Sequence, residues 1–257
     1  MKVIRSKALM IGFFVFISSA MFAQEKKPEF ETPAHILVFS KTSGFRHESL
    51  SSGIKMLFDL SKSQNWIITA TEESSFFSPE ILSGFDVVVF MNSTGDALNE
   101  NEQTAFENFL KKGKGMIGIH SAADFEKEWP FYGELIGGYF KTHPPAQTGT
   151  VVFENFDHPA MEPFKGMKLY TTFDEWYTFR ENPRSKVNVL ATLDESSIKK
   201  YDNNNWRMGD HPIIWWLEKD GMRSFYTGFG HTHEAFHDEK VKEHIKNAVN
   251  WAAKRID

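Results

Sequence analysis

Five short polar runs in this chain, four of them holding histidine or carboxylate, carry the residue types that transfer protons or bind cations. They are Lys41-Thr-Ser-Gly-Phe-Arg-His47, Asn92-Ser-Thr94, His120-Ser121 with Asp124 just beyond, Asp174-Glu-Trp-Tyr177 and Gly230-His-Thr-His-Glu234. A histidine such as His120 can exchange a proton near neutral pH or ligate a metal. Asp174 and Glu175 can accept hydroxyl hydrogen bonds or take protons, and Trp176 and Tyr177 are flat rings of the kind that pack on sugar faces. His231 and His233 share a face if their segment is extended, and His233 and His237 share one if it is helical. Either pair, with Glu234 or Glu175, makes a three-ligand metal set; the competing reading is a polar loop that binds substrate hydroxyls. No His-Glu-x-x-His motif is present. Ser121 beside His120 is no nucleophile–base pair, because neighbours in an extended segment point to opposite faces.

Each polar run follows an apolar one. Residues 35–39, 66–71, 86–90 and 116–119 read as strands, and residues 49–63 carry Ile54, Leu57, Phe58 and Leu60 at helical spacing. Asn99 and Glu102 make a capping box for a helix with Phe106, Phe109 and Leu110 on one face, which Gly113 ends. Further strands are expected at 150–153, 168–173, 187–193, 213–217 and 224–229, and a closing helix at 238–256. Strand–helix–strand repetition with short links predicts an α/β domain with a mainly parallel central sheet covered by helices on both faces. Ligands of such sheets bind beyond the carboxyl ends of the strands, where these polar runs fall. Loop insertions are expected around 130–147 and 182–210. His35, His158 and His244 read as structural or exposed. Gly113-Lys-Gly-Met-Ile-Gly118 matches the dinucleotide pattern in letters alone: it ends a helix and enters a strand, the reverse of what the motif requires, so no nucleotide cofactor is expected.

Composition narrows the classes. The 257 residues are 41% apolar and 25% charged, ordinary globular usage. The net charge of −5 with no basic patch argues against nucleic acid as a partner. With no cysteine, disulfides, thiolate nucleophiles and a lipid-anchored N-terminal cysteine are excluded. Lys2, Arg5 and Lys7 precede an apolar run from 8 to 22, and Ala20 and Ala23 are small residues placed for cleavage. This is the plan of a secretory signal at 1–23, with 24–33 as a linker. Cleavage removes three positive charges and no negative ones, taking the charge from −5 to −8. A periplasmic or secreted protein with no stable membrane insertion after cleavage is the expectation.

Six motifs occur in order: Phe45-Arg-His47, Gly115-Met-Ile-Gly-Ile-His120, Gly137-Gly-Tyr-Phe-Lys-Thr-His-Pro144, Asp174-Glu-Trp-Tyr177, His211-Pro-Ile-Ile-Trp215 and Gly228-Phe-Gly-His231. Together they resemble the ThuA-like (trehalose utilisation) family over residues 34–257. The resemblance implies a flavodoxin-like, class I glutamine amidotransferase-like three-layer sandwich. Relatives of that fold use a cysteine at the strand-end elbow; here the elbow is His120, so glutaminase chemistry is excluded. The family is tied to trehalose and related disaccharides through 3-keto sugars, and members with signal peptides resemble periplasmic proteins of sugar-degrading bacteria. It implies a cleft built from His47, His120, His143, Glu175 and His231, with His233 adjacent.

Three functions follow as expectations. The first is an enzyme that removes the C2 proton of a 3-keto glycoside or disaccharide, leading to isomerisation or 1,2-elimination. In it His120 and Glu175 are catalytic, and Arg46, His47, Asn92, His143, Trp176, Tyr177 and His233 bind the sugar. A divalent metal on His120, His231 and Glu175 is its candidate cofactor. The second is a glycoside hydrolase, which needs two flanking carboxylates such as Glu175 with Asp124 or with Asp174. The third is a non-catalytic sugar-binding or accessory protein.

Overall fold

The apolar strand runs are buried on both faces, as a sheet covered on two sides requires. A computed structural model describes residues 29–199 and 204–257. The expected signal peptide and the first part of the linker lie outside them. The rest of the linker is packed: the Glu29 amide donates to the Ser63 carbonyl, and the Arg255 guanidinium lies 4.0 Å over the Phe30 ring.

Strands β1 (Ala34–Phe39), β2 (Trp66–Thr71), β3 (Val87–Met91), β4 (Gly115–Ile119), β6 (Gln147–Phe153), β7 (Leu169–Asp174), β9 (Asn188–Asp194), β10 (Pro212–Lys219) and β11 (Met222–Thr227) form one sheet. Its order is β2-β1-β3-β4-β11-β10-β9-β6-β7. The five strands from β2 to β11 run parallel, and β10, β9, β6 and β7 extend the sheet antiparallel. A separate ribbon pairs β5 (Phe140–Thr142) with β8 (Thr178–Phe179).

Alternation along each strand divides the core. Ile36, Val38, Val87, Val89, Ile117 and Ile119 meet helices α1 (Leu50–Gln64) and α6 (Glu239–Ala252), whose Met56, Leu57, Ile245 and Val249 pack on them. Leu37, Phe39, Val88, Phe90 and Met116 face α3 (Glu100–Lys111) and α4 (Pro130–Ile136) on the other side. The short helices α2 (Pro79–Leu82) and α5 (His233–His237) complete the set. The Asn99–Glu102 capping box forms as the sequence predicts, and Asp238 caps α6. The expected insertion at 130–147 is instead α4 followed by β5, and that at 182–210 holds the expected strand as β9. Among the described residues, no helix is long and apolar enough to cross a membrane.

This topology gathers the ends of β1, β3, β4 and β11 at one edge. The β7 end reaches the same place through Asp174, whose carboxylate accepts from the Gly230 and His231 amides.

Candidate functional site

His120 directly follows β4 in a left-handed conformation (φ 46°), rare for a residue with a side chain and a mark of an enforced turn. The turn aims a fully buried ring across the sheet edge. Its Nδ1 lies 3.0 Å from the Gly228 carbonyl, which can only accept, so Nδ1 carries the hydrogen and Nε2 is left with a lone pair. That Nε2 has no hydrogen-bond partner and stands 3.4 Å from Glu175 Oε2.

Glu175 is the centre of the group. His231 Nδ1, also buried without a hydrogen-bond partner, lies 3.2 Å from Oε2, and His143 Nδ1 lies 3.0 Å from Oε1. Burial pushes the Glu175 carboxyl up. The contacts with His120, His143 and His231 outweigh it and hold the group well below the usual carboxylate range. His47 comes from the loop after β1. Its Nδ1 is 3.3 Å from Ser121 Oγ, which leaves Nε2 to the site. Burial, then the neighbouring His120 and His231, push His47 down to about 3, so it is a neutral donor.

One ligand atom from each of His47, His120, Glu175 and His231 lies within 4.8 Å of the others. Three imidazoles and one carboxylate suit a divalent transition metal. The lone pair of His120 facing an anionic oxygen is repulsive unless a cation or proton lies between them, so these residues fit an ion. Ser121, the Gly228 carbonyl and Asp174 orient the ligands from behind, as outer-shell partners of metal sites do. Gly230 makes the loop possible: its φ of +130° is open to glycine, and a Cβ there would meet His120, Ile119 and Phe236.

His143 differs from the other histidines. Its side chain is 37% exposed, and its Nδ1 is shared between Glu175 and the Pro144 carbonyl at 2.9 Å. Nδ1 is therefore the protonated nitrogen and Nε2 faces outward. Burial draws its pKa down, but the Glu175 bond and the Pro144 carbonyl prevail and raise it above 6.5. Tyr177 forms the wall between these groups, its ring 4.2 Å from those of His120 and Phe140 and stacked 5.8 Å from His143. Burial, then the Glu175 charge, push its phenol well above its ordinary pKa, so the hydroxyl stays neutral.

A depression of about 260 Å³ adjoins the cluster through His47 and His231 and is completed by Phe45, Glu48, Thr232, His233 and Glu234. Its volume is near the lower end of the roughly 300–1,000 Å³ of small-molecule sites. Phe45 is 65% exposed, with its ring edge-on to His47.

The structure thus brings together His47, His120, His143, Glu175, Tyr177 and His231. Of the other expected residues, His233 lines the adjoining depression, and Arg46, Asn92 and Trp176 lie outside the cluster. Trp176 is 1% exposed, donates to the Gln147 carbonyl and packs on Gly149 and Phe229. A sugar ring cannot reach it, because consecutive residues diverge and Glu175 and Tyr177 claim the open side. Asn92 is buried and bonds Ser49 Oγ and the Gly230 carbonyl, under the loop rather than in the cleft. Arg46 pairs with Glu72 at 2.7 Å on the surface. His233 starts α5 on the rim, where its Nδ1 meets Ser52, so neither expected His233 pair forms a ligand set. His158 and His244 are buried structural residues, both bonded to the Ala160 backbone. Phe45 lies in the first motif, two residues before His47, and that spacing is the signal for its place at the cleft. Nothing in the sequence marked Ser121 as the partner of His47 or Asp174 as the anchor of His231.

No curated protein matches this chain. A ThuA-like protein of Bacteroides uniformis is similar in structure, with a TM-score of 0.72 and 24% identity over 87% of this chain and 93% of that one. A ThuA-like protein of Parabacteroides merdae gives 0.70 and 17% over 87% and 91%. A β-galactosidase of Bacillus circulans gives 0.52 and 11% over 85% of this chain and 31% of its own. These likenesses establish the α/β sandwich. The family profile described as ThuA, trehalose utilisation, matches residues 35–252, and the chain belongs to that family.

Proposed function

We propose that the protein is an exported enzyme of carbohydrate breakdown that abstracts a proton beside a keto group on a glycoside or disaccharide. The observation that carries this reading is the arrangement around Glu175. Two buried imidazole nitrogens without partners converge on one oxygen, while a third, half-exposed histidine bonds the other oxygen and turns Nε2 outward.

In this reading His47, His120, His231 and Glu175 hold a divalent cation, which when bound supplies Lewis acidity to a carbonyl oxygen. The chain's own residues do the rest. In a 3-keto sugar the carbonyl acidifies the C2 hydrogen. His143 Nε2 accepts that proton, and Glu175 stabilises the imidazolium through Nδ1–H, as a carboxylate does in a histidine–carboxylate dyad. The electron pair left at C2 passes into an enediolate. Return of the proton completes an isomerisation; departure of the C1 substituent, protonated as it leaves, completes a 1,2-elimination. Tyr177 and Phe140 keep water from the buried side. This assigns proton transfer to His143 rather than to His120, whose ring is fully buried, or to Glu175, whose oxygens are engaged. The open depression receives the second ring of the substrate against Phe45.

A hydrolase needs a second free carboxylate. Asp174 has its oxygens taken by three backbone amides, and Asp124 pairs with Lys127 at 2.8 Å. Export rests on the composition of residues 1–23; a mature N-terminus at Gln24 in protein recovered from the cell envelope is the expected finding.

The test is proton NMR in D2O with a 3-keto-glucoside, with and without a divalent metal. The C2 signal should be lost, with or without release of the aglycone, in wild type and not in His143→Gln. An unchanged spectrum in both metal conditions, with tight sugar binding by calorimetry, would establish the non-catalytic binding protein instead.

A further inference from the structure

His211 sits outside the cluster, 1% exposed, and both of its ring nitrogens face acceptors. Nδ1 is 2.9 Å from Glu195 Oε1, and Nε2 is 2.9 Å from the backbone carbonyl of Tyr177. A neutral imidazole has one hydrogen to give, so one of these contacts would set a lone pair against an oxygen. Both are hydrogen bonds only in the imidazolium. Glu195 is built to balance that charge: its Oε1 also accepts from the Met208 and Gly209 amides, and Arg207 stands 3.7 Å from Oε2. Burial pushes the Glu195 carboxyl up, but the two amides and His211 hold it below its ordinary range. The other charged neighbour is Asp210, which is itself paired with Arg184 at 2.6 Å.

The residue so gripped is Tyr177, whose ring lies against His120 and is stacked on His143. The next residue is tied to the same segment, since Thr178 Oγ1 donates to the Trp206 carbonyl. We infer that His211 is held as an imidazolium by Glu195 and that this pair fixes the Tyr177 backbone, and through its ring the orientation of His120 and His143. His211 and Glu195 are then positioning residues of the site. This deepens the proposed function, but its test reads neither turnover nor metal.

The experiment is a long-range proton–nitrogen NMR spectrum of the full chain with 15N-labelled histidine, recorded from pH 6 to 8. One residue, assigned by its loss in His211→Gln, should show two protonated ring nitrogens across that range. Glu195→Gln should convert it to a neutral tautomer. Either variant should also shift the ring protons of His120 and His143 in the direction that Tyr177→Leu shifts them. His158 and His244, buried elsewhere, should not move, and this separates positioning from general loosening of the fold. A neutral His211 at pH 8 in wild type would overturn the inference. So would His120 and His143 resonances that ignore both variants. If His211→Gln does not fold, Glu195→Gln, which keeps an acceptor facing His211, carries both readouts.

Discussion

Two glutamates in this molecule meet histidines in buried surroundings, and they meet them in opposite ways. Glu195 and His211 close every hydrogen bond within the protein: each ring nitrogen has its acceptor, and the Glu195 oxygen that meets His211 has two further amides. Around Glu175 the hydrogen bonding is left open. His120 Nε2 and His231 Nδ1 point at its carboxylate without a hydrogen-bond partner, and His47 and His143 complete the ring. The same residue types serve as a rivet in one place and as a receptacle in the other. Buried polar groups are ordinarily satisfied. Of these two groups, the one left unsatisfied is at the strand ends, beside an open depression, where a ligand can supply what is missing.

The contrast breaks most readily at the two carboxylates. Glu175→Gln should reduce C2 proton exchange by roughly 10²–10⁴-fold, the range for removing a central acid–base or charge-stabilising group. Glu195→Gln should reduce it by about 10–100-fold, the scale of a small misplacement of the groups it positions through Tyr177. Equal losses in the two variants would erase the distinction between them.

His143 governs the expected pH dependence. As a base it must be neutral, and the Glu175 contact raises its pKa above 6.5. The rate should therefore fall as pH drops through a value above 6.5. His143→Gln should lose that acid limb together with about 100-fold in rate. A limb that survives the substitution belongs to another group.

Asp174→Asn tests the backing of the open cluster. Its carboxylate accepts amides of Glu175, Gly230 and His231, and an amide nitrogen in place of one oxygen would face a donor. A loss of about 1–3 kcal/mol in urea denaturation is expected, with a larger effect on exchange than on fold. The smallest effect is expected at Phe45→Ala. Loss of one ring from the cleft wall should raise KM roughly two- to tenfold and leave kcat and cation binding as they were. A fall in kcat would place Phe45 in the chemistry rather than in substrate binding.

How much of this was legible in the sequence depends on which interactions are local. The strands, the capping box at Asn99 and the amphipathic helices at 50–64 and 239–252 follow from periodicity and caps. Those signals lie within one segment, and their strand–helix alternation points to the parallel part of the sheet, from β2 to β4. The short α4, β5 and β8 were missed because their form is set by packing: α4 supplies Tyr132, Leu135 and Ile136 to a core face, and β5 and β8 exist through each other. In the site, the histidines stand at the strand ends, where the fold class says to look. Trp176 was misplaced because its side of the chain was decided by Gly149, a contact 27 residues away that no spacing reveals. The pairing of His211 with Glu195, and of Ser121 with His47, is likewise a product of tertiary approach.

The Glu175 cluster is the proposed divalent-cation site. Its most direct test is a calorimetric titration of chelator-treated protein with Mn²⁺, Co²⁺ and Zn²⁺, in wild type, Glu175→Gln and Glu195→Gln. One ion per chain is expected in wild type and in Glu195→Gln, with loss of binding in Glu175→Gln. No binding in wild type, or undiminished binding in Glu175→Gln, would contradict it.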